Sequence, residues 1–249
     1  MKKILMTAAM VLVLVLCTAC VTSRAKGDAT VLLERGISFA SKEDYDTAIA
    51  EFTGAIKLYP QFSAAYNQRG LAYTYRGDYA KAIKDYTKVI KFDPNPAPVY
   101  NSRGNAYYSM GDYAKAIKDY TQVIKIYPNF TAAYYNRGIA YSAKAEYDKA
   151  IADYTKVISI DPPNAAAAYY NRGTAYYTKG EYDQAIGDYT QVIKIYPGSA
   201  AAYTGRGSAY YSKGDYNQAI EDLTQAISLD PLSAIAKQNL EIVRKARGY

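Results

Sequence analysis

The stretch Thr131-Ala-Ala-Tyr-Tyr-Asn-Arg-Gly-Ile-Ala-Tyr-Ser-Ala-Lys-Ala-Glu-Tyr-Asp-Lys-Ala-Ile-Ala-Asp-Tyr-Thr-Lys-Val-Ile-Ser-Ile-Asp-Pro162 decides the fold of this chain. Its sentence is repeated up and down the sequence. The Arg-Gly step falls at Arg35-Gly36, Arg69-Gly70, Arg103-Gly104, Arg137-Gly138, Arg172-Gly173 and Arg206-Gly207, at spacings of 34, 34, 34, 35 and 34 residues. A fixed period of this size marks a stacked array of supersecondary units.

Each repeat is counted here from seven residues before its Gly. Position 11 is then Phe39, Tyr73, Tyr107, Tyr141, Tyr176 and Tyr210, and position 20 is Ala throughout, from Ala48 to Ala219. Position 24 is Phe52, Tyr86, Tyr120, Tyr154, Tyr189 and Leu223, and position 32 is Pro from Pro60 to Pro231. Gly at position 8 and Ala at position 20 allow two antiparallel helices to approach closely, with the aromatics filling the space beside them. Ala82, Ile83, Tyr86, Val89 and Ile90 follow the helical period and make one apolar face. Proline ends the second helix of each pair. One pair cannot bury its face alone, so neighbours must stack.

On these residues the chain resembles the tetratricopeptide repeat (TPR) family, from about residue 29 to 233. The resemblance implies an all-α fold: a right-handed superhelical solenoid of six helix-turn-helix repeats with a C-terminal capping helix. The expected boundaries are repeats at 29–62, 63–96, 97–130, 131–165, 166–199 and 200–233, then a cap over 234–249. Ala234, Leu240 and Val243 are expected to cover the open end of repeat 6. The extra residue of repeat 4 is expected in Pro162-Pro163-Asn164. Ala145 replaces the Gly of the other inner turns, so that turn is expected to stay right-handed.

The amino terminus reads as a targeting segment. Lys2 and Lys3 precede a nearly unbroken apolar run, Ile4 to Leu16, and the small-residue end Thr18-Ala19-Cys20. It resembles a bacterial lipoprotein signal, which implies cleavage after residue 19, a lipidated (palmitate-bearing) Cys20 and a tether over 20–28. Val21 after the cysteine favours the outer membrane by the same resemblance. An uncleaved anchor and plain secretion remain alternatives. With cleavage before Cys20 a single cysteine is left and no internal disulfide can form.

Two departures from the family pattern recur together. Position 7 is Arg in every repeat, and position 23 is Glu51, Asp85, Asp119, Asp153, Asp188 and Asp222. Structural ion pairs are therefore expected for Arg69, Arg103, Arg137 and Arg172 with Asp85, Asp119, Asp153 and Asp188, within a repeat or across neighbours. Arg offers a planar fork that grips a carboxylate twice. The competing reading pairs each Asp with lysines on its own helix, such as Lys81 and Lys88.

Little in the sequence points to catalysis. The chain of 249 residues has no His, its two cysteines lie in the targeting segment, and its carboxylates are matched by Arg. No catalytic residue, metal ligand or cofactor is expected, and the chain reads as a non-enzyme. The family resemblance implies a concave groove lined by the first helices. It assigns to that groove Asn67, Tyr75, Asn101, Asn105, Tyr108, Tyr135, Asn136, Tyr170, Asn171, Tyr177 and Tyr211, which either contact a ligand or pack on neighbouring helices. The expected function is a lipid-anchored scaffold of the bacterial envelope, on the periplasmic or surface face of the membrane, holding a protein or peptide segment. Alternatives are a module binding cell-wall glycan through its tyrosines, or assembly with further copies of itself. Nucleic acid is disfavoured as a partner, despite the formal charge of +7. Positions 19, 22, 26 and 29 of the second helices carry many lysines, with Lys81, Lys84, Lys88 and Lys91 in repeat 2 and none in repeat 6. This face is either simply solvated or suited to anionic headgroups.

Overall fold

The computed structural model describes residues 24–93 and 95–248; the expected signal segment, Cys20 and Pro94 lie outside the described residues. Among the described residues there are thirteen α-helices and no strand. The chain divides into two compact units, one ending at Asp112 and one beginning at Tyr113. The first unit holds α1 (24–40), α2 (Tyr45–Leu58), α3 (Ser63–Tyr75), α4 (Tyr79–Phe92) and α5 (Ala97–Ser109). The second holds α6 (Tyr113–Ile126), α7 (Thr131–Ala143), α8 (Tyr147–Ile160), α9 (Ala166–Lys179), α10 (Tyr182–Ile195), α11 (Ala200–Lys213), α12 (Tyr216–Leu229) and α13 (Ala234–Arg247). No helix among the described residues is long and apolar enough to cross a membrane.

Within each unit, consecutive helices pack against each other in sequence order. The second helix of each pair supplies the core. In α4 the residues Ala82, Tyr86 and Val89 recur at helical spacing and are at most 1% exposed. Tyr154 and Val157 in α8, and Tyr189 and Val192 in α10, repeat the stripe. The position-8 glycines seat the aromatic ring rather than the position-20 alanine. A Cβ on Gly70 would lie 2.7 Å from the Tyr86 ring, and one on Gly138 equally close to Tyr154. At Gly207, where position 24 is Leu223, a Cβ would lie 3.0 Å from the Leu223 side chain and 3.3 Å from the Ala219 carbonyl oxygen. The close approach is thus dictated by ring size.

Three expectations need correction. The tether expected over 20–28 is helical from residue 24, because α1 continues back from the buried Ala29, with Thr30 Oγ1 donating to the Lys26 carbonyl. The inner turn at Ala145 is left-handed, at φ 58°, as is that at Glu43, at φ 62°. Its hydrogen bonds, Glu146 N–H to Tyr141 O and Ala145 N–H to Ser142 O, both 2.9 Å, match those of Asp112 and Gly111 in the preceding repeat. Helix packing therefore imposes the turn, and the non-glycine residue tolerates a strain of about 1–2 kcal/mol. In α13 the buried stripe is Ala236, Leu240 and Val243, whereas Ala234 is exposed. Ser233 caps that helix by accepting from Ala236 N–H, and the apolar stripe starts at Ala236, two residues later than expected. The segment Pro162–Asn164 forms a single 3₁₀ turn between repeats.

A polar ladder ties the pairs together. Arg69 donates through Nε and Nη2 to the two carboxylate oxygens of Asp85, at 2.7 and 2.8 Å. Arg137 grips Asp153, Arg172 grips Asp188 and Arg206 grips Asp222 in the same two-pronged way. Asp85, Asp119, Asp153, Asp188 and Asp222 are all 3–5% exposed. In the first repeat, Arg35 meets Glu51 at 2.7 Å. The third prong leaves the repeat: Nη1 of Arg69, Arg103, Arg137, Arg172 and Arg206 donates to Thr53, Thr87, Thr121, Thr155 and Thr190 of the repeat before. Each guanidinium also lies over a position-4 tyrosine, Tyr66 under Arg69 and Tyr134 under Arg137, both at 5.6 Å. The carboxylate bond is the main reason the Arg69, Arg137, Arg172 and Arg206 guanidiniums hold their protons even more tightly than usual. No buried side-chain polar atom among the described residues lacks a partner.

A tyrosine-lined surface on the first helices

The groove residues expected from the sequence fall in both units. In the first, Tyr75 is 72% exposed at the end of α3 and stacks flat on Tyr45, with ring centroids 5.3 Å apart. Asn67, Asn101 and Tyr108 are half-buried, and Asn105 is exposed. In the second unit the first helices α7, α9, α11 and α13 lie side by side, and their tyrosines both pack and line space. Tyr135 leans on the buried Tyr154, with centroids 6.0 Å apart, and Tyr170 meets Tyr189 edge-on at 5.6 Å. Asn171 Nδ2 donates to the Tyr135 hydroxyl at 3.0 Å, fixing both side chains. Asn136 is half-buried on α7.

Two hollows result. The larger, about 310 Å³, is lined by Tyr135, Tyr170, Asn171, Tyr196 and Ser199 over a floor of Ala166, Ala167, Ala201 and Val192. No charged side chain enters it. Small floor residues make the space, and aromatic walls make it suited to an apolar or ring-bearing group. The smaller, about 140 Å³, lies among Tyr177, Ser208, Tyr211, Asn239 and Ile242, above Leu223 and Val243. The Tyr177 and Ser212 hydroxyls are 3.3 Å apart beside it, and Asn239 Nδ2 donates to Ser208 at 3.1 Å. Of the residues expected on the groove, Tyr135, Tyr170, Asn171, Tyr177 and Tyr211 line these hollows, together with Tyr196, Ser199, Asn239 and Ile242, which the first-helix reading did not include. Tyr196 comes from the turn after α10 and is 61% exposed. A signal for it exists: the residue before the repeat-ending proline is Tyr59, Tyr127 and Tyr196 in odd repeats and Asp93, Asp161 and Asp230 in even ones.

Tyr189 stands behind this surface. Burial pushes its hydroxyl up to about 12, against an ordinary value of 10.0, while a hydrogen bond with Thr174 partly opposes the shift. An unfolded tyrosine releases its proton first, so rising pH favours the unfolded chain once it passes about 10. This share of the stability is intact below pH 10 and is lost progressively towards pH 12. We expect the urea midpoint of the wild type to fall more between pH 9 and 11 than that of Tyr189→Phe; equal falls would show that Tyr189 carries no such linkage.

Among the described residues no group of three His, Cys, Asp or Glu side chains is placed to hold a metal ion. No curated protein matches the sequence. Among solved structures, one of MamA is 32% identical, covers 66% of this chain and 96% of its own, and superposes with a TM-score of 0.63. PilW, a type IV pilus biogenesis factor, is 18% identical over 85% of this chain and 98% of its own, at 0.69. The pilF protein of Pseudomonas aeruginosa is 16% identical over 86% and 97%, at 0.67. The family model described as tetratricopeptide repeat matches residues 97–130, 131–164, 166–199 and 200–231, and a second, described as TPR repeat, matches 70–111. These repeats cover more than half of the sequence, and the chain belongs to the tetratricopeptide repeat family.

Proposed function

We propose that the protein is a non-catalytic adaptor, anchored in the bacterial envelope by lipid on Cys20, that holds a segment of a partner protein against its first helices. The observation that carries the binding part is the uncharged hollow of about 310 Å³ between Tyr135, Tyr170 and Tyr196. A hollow of that size accepts one or two side chains of a partner segment. Tyrosine walls give large contact area at low entropic cost, and Asn171 and Ser199 offer hydrogen bonds to a peptide backbone. The apolar run Ile4–Leu16 followed by Thr18-Ala19-Cys20 supports the anchoring part.

The test is a pull-down from envelope extract with wild type and with Tyr135→Ala plus Tyr170→Ala. The partner is expected to be retained by the wild type and to fall at least about tenfold with the double variant, as for loss of aromatic contacts at a binding centre. Undiminished capture by the double variant, with circular dichroism unchanged, would refute this use of the hollow. Recovery of glycan in place of protein would assign the tyrosines to sugar stacking.

A further inference from the structure

The second helices differ sharply in how their outward charges are balanced. On α4 the positions 81, 84, 88 and 91 are all lysine and all exposed. At 100° per residue they fall within an arc of about 80° and span about 15 Å of helix. Lys81 reaches Asp78 at 3.1 Å. Among the described residues, Lys84, Lys88 and Lys91 make no ion pair. The one other carboxylate in the helix, Asp85, is buried and held by Arg69. Some cations elsewhere are balanced: Lys149 meets Glu146, Lys179 meets Asp148, Lys213 meets Asp183 and Lys245 meets Glu241.

The equivalent positions change helix by helix. They read Thr47, Ala50, Gly54 and Lys57 on α2, but Gln218, Glu221, Gln225 and Ser228 on α12. Like charges three and four residues apart repel along a helix, and a face kept only for solubility mixes signs or stays sparsely charged, as on α12, where Glu221 is the single charge at these positions. On α4 that repulsion stands uncompensated among Lys84, Lys88 and Lys91. We infer that the outer face of α4 is a docking surface for a bilayer containing anionic phospholipid, contacted by Lys84, Lys88 and Lys91. Flexible lysine stems let the ammonium groups reach separate headgroups while the helix stays on the surface. The choice of a bilayer as the polyanion rests on the proposed anchoring at Cys20, which sits four residues before the start of the described helix α1. The unpaired lysine face does not depend on it.

The test uses the full chain and vesicles of phosphatidylcholine, alone or with about one-third phosphatidylglycerol. Lys84→Gln with Lys88→Gln and Lys91→Gln is compared with Lys194→Gln, Lys237→Gln and Arg244→Gln, which removes the same net charge from other helices. All proteins carry Cys20→Ser, so no acyl chain contributes and a failed anchor does not mimic a failed face. The wild-type face is expected to prefer the anionic vesicles, and the α4 variant to lose on the order of 100-fold of that affinity at low salt. The control variant should stay close to the parent, and the preference should fade as salt rises. Equal losses in both variants, or no preference for anionic lipid in the parent, would overturn the proposal. Binding of double-stranded DNA as tight as that of vesicles, and equally lost in the α4 variant, would replace the bilayer with polyanions in general.

Discussion

Asp153→Ala is expected to destabilise the second unit by about 3–5 kcal/mol, the cost of leaving a charge buried without its partner. The carboxylate is 5% exposed and receives both Nε and Nη2 of Arg137 at 2.8 Å. Without it the guanidinium keeps its proton, its bond to Thr121 and its place over Tyr134, but has no counter-ion. Replacing both partners, Arg137→Met with Asp153→Leu, is expected to be far milder and close to neutral, because the desolvation cost disappears with the pair. Urea denaturation of the two variants beside the wild type checks this. A double variant as unstable as Asp153→Ala would mean that the pair contributes net stability rather than register.

Tyr86→Ala is expected to cost about 3–5 kcal/mol, as for other fully buried aromatics. The ring is 0% exposed, fills the seat that Gly70 leaves open, and packs with Ala82, Val89, Val99 and Ala106. Its hydroxyl lies 3.0 Å from that of Thr74. Tyr86→Phe should therefore lose only about 1 kcal/mol, the value of one hydrogen bond. Denaturant midpoints for both variants separate the ring from the hydroxyl. A loss below 1 kcal/mol for Tyr86→Ala would show that the Gly70 seat closes when the ring is gone.

Legibility in the sequence followed the period. A residue type that recurs every 34 positions is visible without any structure, so the helix pairs, the position-24 rings and the recurrence of Arg with Asp could all be read directly. Thr53, Thr87, Thr121, Thr155 and Thr190 recur just as strictly but were passed over. A helical threonine usually satisfies its hydroxyl on the carbonyl four residues back, and Thr53, Thr87 and Thr121 do so at 2.7 Å while also accepting from Arg. Ala145 misled because residue identity was read as setting the turn, whereas the two packed helices set it. Tyr196 was missed because the groove was read from first-helix positions alone, and this ring comes from the connecting turn. The hollow depends on the small Ala166, Ala167 and Ala201 below it, and a sequence does not show space.

The arginine ladder also governs which lengths of this chain are buildable. Arg69, Arg137 and Arg206 each draw on a threonine 16 residues earlier and an aspartate 16 residues later. Removal or duplication of one whole 34-residue cassette hands every arginine an equivalent pair of clients. A cut of half that length strands a guanidinium against the wrong neighbour. At Arg172 the upstream interval is 17 residues, absorbed in the Pro162–Asn164 turn, so slack is permitted in connectors but not in helices. Growth and shrinkage of such a gene are thereby confined to integral steps, written into the spacing of one side chain.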